Sequence, residues 1–477
     1  MSPSADQFLK KAWLLGWLEK GALIVLAILA VQSARAQTRI LRIVTYNIEA
    51  DISGLTPPRP GLIAPPGDTN NFRAGGVLEG IGEEIVGSDG AHPIDILALQ
   101  ETTSNSITVT PIVNGLNSFY GVAGMYSNSS YQAAQFGGKT NNGFGNGPNA
   151  VVFNTRTVQL PASVPVDPPG RTSNLGAASG EYREVMRYQF APAGITATVS
   201  NVFYIYVSHY KAGTGAANEA HRLGEAQIIR TNEAIDLPAT ARVLYVGDYN
   251  VDNSGEPGYQ TILSASAPNS AQQGQAIDPM NPTNNPNINW SAGTTDTNIL
   301  VMLSELSYDL EYRDDLQLMT TNVYFGAPGG LKFVPGTYHA FGNTGSTPYF
   351  GSVNSGFNTA LNDDLVTNGP AFISAAQLYV DLTNTSDHLP VVADYTIPVP
   401  APVITRFNLA GPDLVFNIAN CVTGGIYTVL TTTNLSFPPT NWTALATNVA
   451  ASGSFNLTAT NAVVPGAPER FYLLQQQ

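Results

Sequence analysis

The sequence predicts an α+β protein in two folded units: a large one in which strands alternate with a few helices, and a small β-sandwich behind it. Three observations predict this. Short runs of Val, Ile, Leu and Tyr recur between residues 39 and 395, bounded by Gly, Pro, Asn or Asp, and read as buried strands. Helical spacing of apolar residues is found around 77–85 and 218–235. Beyond Tyr395 a stiff Pro-rich stretch, 397–403, is followed by short strand-like runs separated by Gly, Asn and Pro. Length and composition agree. The 477 residues exceed one ordinary domain. A chain that is 43% hydrophobic and 12% charged, with 45 Gly and 33 Pro, is loop-rich and not mainly helical.

The N-terminus reads as a targeting segment. Lys10, Lys11 and Lys20 precede an apolar run at 21–31, and Ala34-Arg35-Ala36 fits a small-x-small cleavage rule that makes Gln37 the first mature residue. The run is about half the ~20 residues needed to span a bilayer. An uncleaved anchor would have to recruit 13–18 across Glu19 and Lys20. The expected organisation is an export signal at 1–36, a main domain at 37–396, a linker at 397–403 and a C-terminal β-sandwich module at 404–477. The mature protein is expected to be secreted, with no stable membrane insertion and no obligate protein partner.

The net charge is −14, with a pI near 4.7. That is no basic nucleic-acid footprint, and it argues against tight non-specific binding to DNA or anionic membranes. It leaves room for an enzyme that handles phosphates through bound cations. The single cysteine, Cys421, excludes an intramolecular disulfide and reads as a small buried apolar residue.

Taken in order, 39–47 is a strand ending in Asn47. Residues 51–70 are a Pro/Gly loop. Val77, Ile81 and Ile85 suggest a short helix, with Asn71 as a cap. Residues 94–99 form a strand with Gln100-Glu101 at its end. A long Gly/Asn/Ser loop at 126–148 precedes a strand at 150–153. Arg183 and Arg187 lie on a β-like stretch. The strand 203–207 leads into Ser208-His209-Tyr210-Lys211. The helix 218–235 buries Ala220, Leu223, Ala226 and Ile229. The strand 243–246 then runs into Gly247-Asp248-Tyr249-Asn250. Residues 265–300 and 335–370 are loops, and 391–395 is the last strand of the main unit. In the C-terminal unit, Tyr427, Trp442 and Phe471 are expected in the core.

Polar groups therefore leave strand ends repeatedly. Asp248 and Asn250 are two residues apart, so on extended chain they share a side. That holds a carboxylate, an acceptor for a water proton or a metal, beside an amide donor. Alone, the pair is somewhat better read as a closing Asx-turn, a lone His209 as a satisfied histidine, and Asp387 as a turn cap. Their recurrence at strand tips with Asn47, Glu101 and Asp387-His388 changes the balance.

The ordered motifs Thr45-Tyr46-Asn47, Leu99-Gln100-Glu101, Ser208-His209-x-Lys211, Gly247-Asp248-Tyr249-Asn250 and Ser386-Asp387-His388-Leu389-Pro390 resemble the endonuclease/exonuclease/phosphatase family over about 39–396. The resemblance implies a four-layer α/β/β/α sandwich of two mixed sheets. It implies a divalent metal, Mg²⁺ first with Mn²⁺ or Ca²⁺ as others, held chiefly by Glu101 with Asn47 beside it and Asp387 as a further acidic ligand. Asp248 would orient or deprotonate water, and Asn250 would hold a phosphate oxygen. His388 would bind phosphate or act as an acid, and His209 would approach from the other side. Asp315 would pair with His388, although Leu316 stands where the family has an aromatic residue and Asp314 is an extra acid. Arg183 and Lys211 would add attraction for substrate; a surface arginine is an equal reading of Arg183.

The implied activity is hydrolysis of phosphodiester bonds, with nucleic acid as first substrate. A sphingomyelinase or phospholipase C-like activity is the second enzymatic reading. A family-like binding scaffold is the non-enzymatic one, and it would be expected to have lost a ligand. The C-terminal unit resembles β modules appended to secreted bacterial enzymes.

Overall fold

Strand β1 (Gln37–Asn47) is buried on both faces, which explains its near-continuous apolar run. Leu41 and Ile43 face one core, Val44 and Tyr46 the other. The structure, a computed structural model, describes residues 37–48, 73–86, 91–102, 105–129, 149–161, 185–264, 274–291, 293–306, 310–343, 345, 378, 381–382, 385–399, 401–421, 425–463 and 470–476. The export signal, the Asn71 cap, Arg183, the loop at 51–70 and most of the loops at 126–148 and 335–370 lie outside them. No helix of the described residues is long and apolar enough to cross a membrane.

In chain order β1 is followed by β2 (Ile96–Gln100), β3 (Tyr126–Asn128), β4 (Ala150–Asn154), β5 (Val158–Gln159), β6 (Met186–Pro192), β7 (Phe203–His209) and β8 (Val243–Asp248). Then come β9 (Ala276–Ile277), β10 (Glu305–Leu306), β11 (Leu310–Tyr312), β12 (Asp315–Thr320), β13 (Lys332–Phe333), β14 (His339–Ala340) and β15 (Val391–Val399). The first sheet has the order β13-β15-β1-β2-β4-β3, with β14 also on β15; the second has the order β5-β6-β7-β8-β12-β9. In each, a central parallel pair, β1 with β2 and β7 with β8, is flanked by antiparallel strands.

The sheets pack face to face. Leu41, Ile43, Ile96, Ala98 and Val151 of the first share a core with Phe190, Phe203, Ile205, Leu244 and Val246 of the second. Gln317 crosses the interface, its Nε2 donating to the carbonyls of Ile43 at 3.0 Å and Val391 at 2.7 Å. The outer faces carry helices. Val77, Ile81, Ile112 and Leu116 of the helices Arg73–Glu83 and Thr110–Phe119 share a core with Val44 and Leu97. Ala226, Ile229 and Ile262 of the helices Ala216–Asp236 and Pro257–Leu263 cover Tyr206 and Tyr245. This is the α/β/β/α layering that the resemblance implied.

Several local readings change. Ile85 lies beyond its helix and is exposed, because the helix ends at Glu83. Ala220 is exposed, and the buried face of Ala216–Asp236 instead carries Arg222, Glu225, Arg230 and Glu233 beside Ala226 and Ile229. Charged side chains can face inward there because each finds a hydrogen-bonding partner. Within 265–300, expected as a loop, the described residues contain β9, the buried Trp290 and the short helix Thr297–Leu300. The stretch 397–403 is not wholly a linker: β15 runs to Val399, and Ile397, Pro398 and Val399 pair with Arg39, Thr38 and Gln37. Proline is tolerated at such a sheet margin.

The chain divides into two units, one spanning Ala36–Pro400, with Ala401–Gln477 in the other. The C-terminal part has two three-stranded antiparallel sheets. One is β16 (Val403–Ala410), β17 (Asp413–Ala419) and β20 (Ser454–Ala459); the other is β19 (Thr443–Val449), β18 (Ile426–Thr432) and β21 (Phe471–Gln476). Phe416, Tyr427, Val429 and Leu457 form its core with Cys421, whose thiol burial pushes up to about 11. Trp442 and Phe471 are only half-buried, outside the core positions expected of them.

Two predictions follow from the first sheet. A chain ended at Tyr395 should be about 3–5 kcal/mol less stable than one ended at Pro400, since it loses Ile397 and Val399, which are 0% and 6% exposed. Equal denaturation midpoints would show that the strand end carries no stability. The second concerns Asp394. Burial alone would raise its carboxyl, but the His92 ring and the Arg42 guanidinium outweigh burial and hold it at about 2. A carboxyl lowered on folding stabilises above its unfolded value near 4 and loses that contribution as pH falls through 2, here about 2 kcal/mol. Asp394→Asn should lack that part of the acid dependence when denaturation is followed from pH 5 to 2. An unchanged slope would contradict the assignment.

Candidate active site

Because both sheets have parallel central pairs, the ends of β1, β2, β7 and β8 lie at one edge of the sandwich. Asn47 pairs in register with Gln100, and Asp248 with both His209 and Asp315. Glu101 follows β2, and His388 stands three residues before β15. The site is therefore six strand termini meeting across two sheets.

The Asp248 carboxylate is its hub, and it is almost wholly buried. Its Oδ1 accepts from the backbone N–H of Asn250 at 3.0 Å and from the Asn250 amide at 2.8 Å. Its Oδ2 accepts from the Asn47 amide at 3.0 Å, and faces His209 Nε2 at 3.3 Å and His388 Nε2 at 3.8 Å. Asn47 also donates to Glu101 Oε1 at 3.3 Å, and His209 Nε2 lies 3.6 Å from that oxygen. One amide thus bridges the carboxylates of the two sheets.

His388 is oriented from behind. Its Nδ1 donates to Asp315 Oδ2 at 2.7 Å. That fixes the ring orientation and leaves Nε2 facing Asp248. Ser304 Oγ donates to the same Asp315 oxygen at 2.7 Å and accepts from the Asp315 N–H at 3.2 Å. Ser386 Oγ donates to the Asn47 carbonyl at 2.6 Å and accepts from the His388 N–H at 3.0 Å, tying the last loop to β1. Ser304 lies in Leu303-Ser304-Glu305, where no pattern marks it; Ser386 could have been read from its place in the Ser-Asp-His motif.

Charge and burial set the protonation. Burial first, then Asp315 and Glu101, push the Asp248 carboxyl up to about 7 against the opposing His388 and Asn47. Burial opposes protonation of His388, but the carboxylates of Asp315 and Asp248 outweigh it and raise the imidazole well above its usual value. The extra acid, Asp314, is buried too; burial and then Asp248 and Glu305 raise it far above the carboxylate range.

Other expected residues take particular places. Asn250 braces Asp248, and its amide also donates to the Tyr210 carbonyl at 3.2 Å, so a phosphate contact requires one of those bonds to open. Lys211 follows the tip of β7, with Nζ on the Ala212 carbonyl at 3.0 Å. Asp387 is the most open acid, its side chain 34% exposed and 3.8 Å from His388 Nε2. Arg313 does not enter the site; it forks onto Asp278 at 2.7 and 2.9 Å under Trp290.

Among the described residues no group of three His, Cys, Asp or Glu side chains is arranged to hold a metal ion. The donor chemistry present is Glu101, 15% exposed, facing the amide of Asn47, with Asp387 nearby in sequence to His388. An open carboxylate of this kind fits Mg²⁺, which takes one or two carboxylates and keeps several waters. A cation would also relieve the crowding of acids.

No protein-family model matches the chain, and no curated protein matches it. Solved structures do. The human Nocturnin catalytic domain with bound sulfate is 16% identical, with a TM-score of 0.36 over 76% of this chain and 97% of that one. Endonuclease/exonuclease/phosphatase proteins from Bacteroides thetaiotaomicron and Beutenbergia cavernae are 12% and 15% identical, with TM-scores of 0.34 and 0.32. The first covers 76% of this chain and 97% of its own, the second 92% and 100%. At these scores the matches add nothing to the strand order and distances above.

Gly247 makes the tip of β8 possible. Its φ is 140°, and a Cβ there would lie 1.9 Å from the Ser208 carbonyl oxygen on the neighbouring strand. Glu101 and Asn250 also hold positive φ, 53° and 49°, a strain of about 1 kcal/mol or more each that persists where surrounding bonds impose it. Gly247→Ala should cost at least ~3 kcal/mol in chemical denaturation. A variant with the wild-type midpoint would mean that β7 and β8 do not approach this closely.

Proposed function

We propose that the chain is an exported, divalent-metal-dependent hydrolase of phosphodiester bonds, with nucleic acid as its first substrate class. The observation that carries the reading is the buried Asp248 carboxylate, shared by Asn47, His209 and His388 and backed by the Asp315–His388 pair. Phosphodiester hydrolysis needs an oriented water, relief of charge on the phosphoryl oxygens and a protonated leaving oxygen. Asp248, raised to about 7, is matched to accepting a proton from water near neutral pH. Asn47 and Asn250 hold that carboxylate in place. His388, kept cationic by Asp315, offers Nε2–H to a phosphoryl oxygen. His209 stands across Asp248 as a second donor to the phosphate or to the leaving oxygen. A divalent cation held by Glu101, with Asp387 as the further acidic ligand that the resemblance implies, would neutralise phosphoryl charge. Export is supported by the apolar 21–31 run and Ala34-Arg35-Ala36.

Glu101→Gln should weaken activation by Mg²⁺ and lower the rate at fixed metal; identical titration curves for variant and wild type would reject Glu101 as ligand. Asp248→Asn and His388→Ala should each reduce kcat by roughly 10²-fold or more with the fold retained. Plasmid DNA, RNA, sphingomyelin and bis(p-nitrophenyl) phosphate should be assayed together. Nicking of nucleic acid is expected, with a shallow salt dependence: only 21 Lys and Arg occur in the chain, and the slope is about 0.9 per phosphate neutralised. Phosphocholine release without nicking would replace nucleic acid by a phospholipid substrate.

A further inference from the structure

Two loops follow the strands that carry His209 and Asp248: 210–213 after β7, and 249–252 after β8. In front they touch through the Tyr210 N–H on the Asp248 carbonyl at 2.8 Å and the Asn250 amide on the Tyr210 carbonyl at 3.2 Å. Behind them lies a buried ion pair that the chemistry does not use. Arg222 is 0% and Glu256 3% exposed. The Arg222 guanidinium forks onto Glu256, through Nε to Oε1 and through Nη2 to Oε2, the latter at 3.0 Å. Its remaining Nη1 donates to the carbonyls of Lys211 and Gly213, both at 2.8 Å. The other partner reaches the second loop, where Glu256 Oε2 accepts from the Asp252 N–H at 3.3 Å.

Arg222 and Glu225 stand three apart on one helix face, so both reach the first loop. Glu225 Oε2 accepts from the Lys211 N–H at 3.0 Å, and Lys211 is therefore gripped at its amide and its carbonyl. The helices that carry the pair are in close contact: a Cβ on Gly258 would lie 3.1 Å from the Arg222 backbone. We infer that the Arg222–Glu256 pair is a positioning unit for phosphodiester hydrolysis, a clamp that joins the loop behind His209 to the loop behind Asp248 and holds both against the phosphate. The inference rests on the function proposed above. Its physical reason is that a planar five-donor fork can satisfy a carboxylate and two carbonyls at once, which a lysine cannot. Placement errors near 1 Å at a reacting centre cost on the order of 10²-fold in rate.

Arg222→Lys in the full chain tests it, with Arg230→Lys as control. Arg230 pairs with Glu233 further along the same helix, at 2.7 Å, and bonds the Ser264 carbonyl, away from both loops. With bis(p-nitrophenyl) phosphate and saturating Mg²⁺, Arg222→Lys should lower kcat about tenfold or more and leave KM within about twofold. Amide hydrogen exchange should quicken in both 210–213 and 249–252. Arg230→Lys should lower the melting temperature comparably, with kcat and exchange in both loops unchanged. If Arg222→Lys does not fold, Glu256→Gln takes its place with the same expectation. A kcat within about twofold of wild type, loosening of one loop alone, or equal losses in variant and control would each overturn the clamp. A wild type that hydrolyses no phosphodiester would remove the proposed function, and the exchange measurement would still decide whether the two loops are joined.

Discussion

The arrangement of this domain depends on one buried carboxylate. Asp248 sits at the tip of a core strand, and four segments around the site supply something to its two oxygens. β1 supplies Asn47, β7 supplies His209, the segment before β15 supplies His388, and its own loop supplies Asn250. A carboxylate taken out of water is costly unless it is surrounded by donors. The sandwich meets that demand by bringing donors from both sheets to one edge. The residual strain is visible in the raised affinity of Asp248 for a proton, which is also what suits it to accept one.

The same logic extends away from the site. The chain has few charges, yet the described residues contain four buried Arg–carboxylate pairs: Arg42–Asp394, Arg222–Glu256, Arg230–Glu233 and Arg313–Asp278. Such pairs are weak stabilisers against apolar isosteres, but breaking one partner is expensive. Three of them also hold backbone outside their own element. Arg42 bonds the carbonyls of Ile81 and Glu84 at the end of a helix, Arg222 bonds the loop after β7, and Arg230 bonds Ser264. They fix strand, helices and loops to one another where a loop-rich chain would otherwise have little to hold them.

Much of this was legible in the residues. Strand β8 and its Gly-Asp-x-Asn ending, the ends of β1 and β7, and the final His388 segment lie where apolar runs stop at polar clusters. Where the reading departed, tertiary contacts decided. The inward face of the helix Ala216–Asp236 is partly ionic, so apolar spacing put Ala220 inside and missed Arg222 and Glu225. Proline at 398 and 400 suggested a linker, yet β15 continues past Pro398 because its partner on that side is the start of β1. Ser304 has no local signature, and its role exists only because β12 places Asp315 against it.

By itself the sequence determined the α+β class, the central strands β1, β2, β4, β7, β8 and β15, and the polar residue types at several of their ends, because burial periodicity and chain-terminating residues are local properties. It did not determine who bonds whom. The sharing of one Asn47 amide by Glu101 and Asp248, the backing of His388 by Asp315 and Ser304, and the bonds of Arg222 to the loop after β7 join residues 9 to 201 positions apart. The contacts that cross the sheets, Asn47 with Asp248 and His388 with Asp315, close only when two sheets stack with their strand ends aligned, and the stacking is set by the summed packing of their inner faces and not by any one segment.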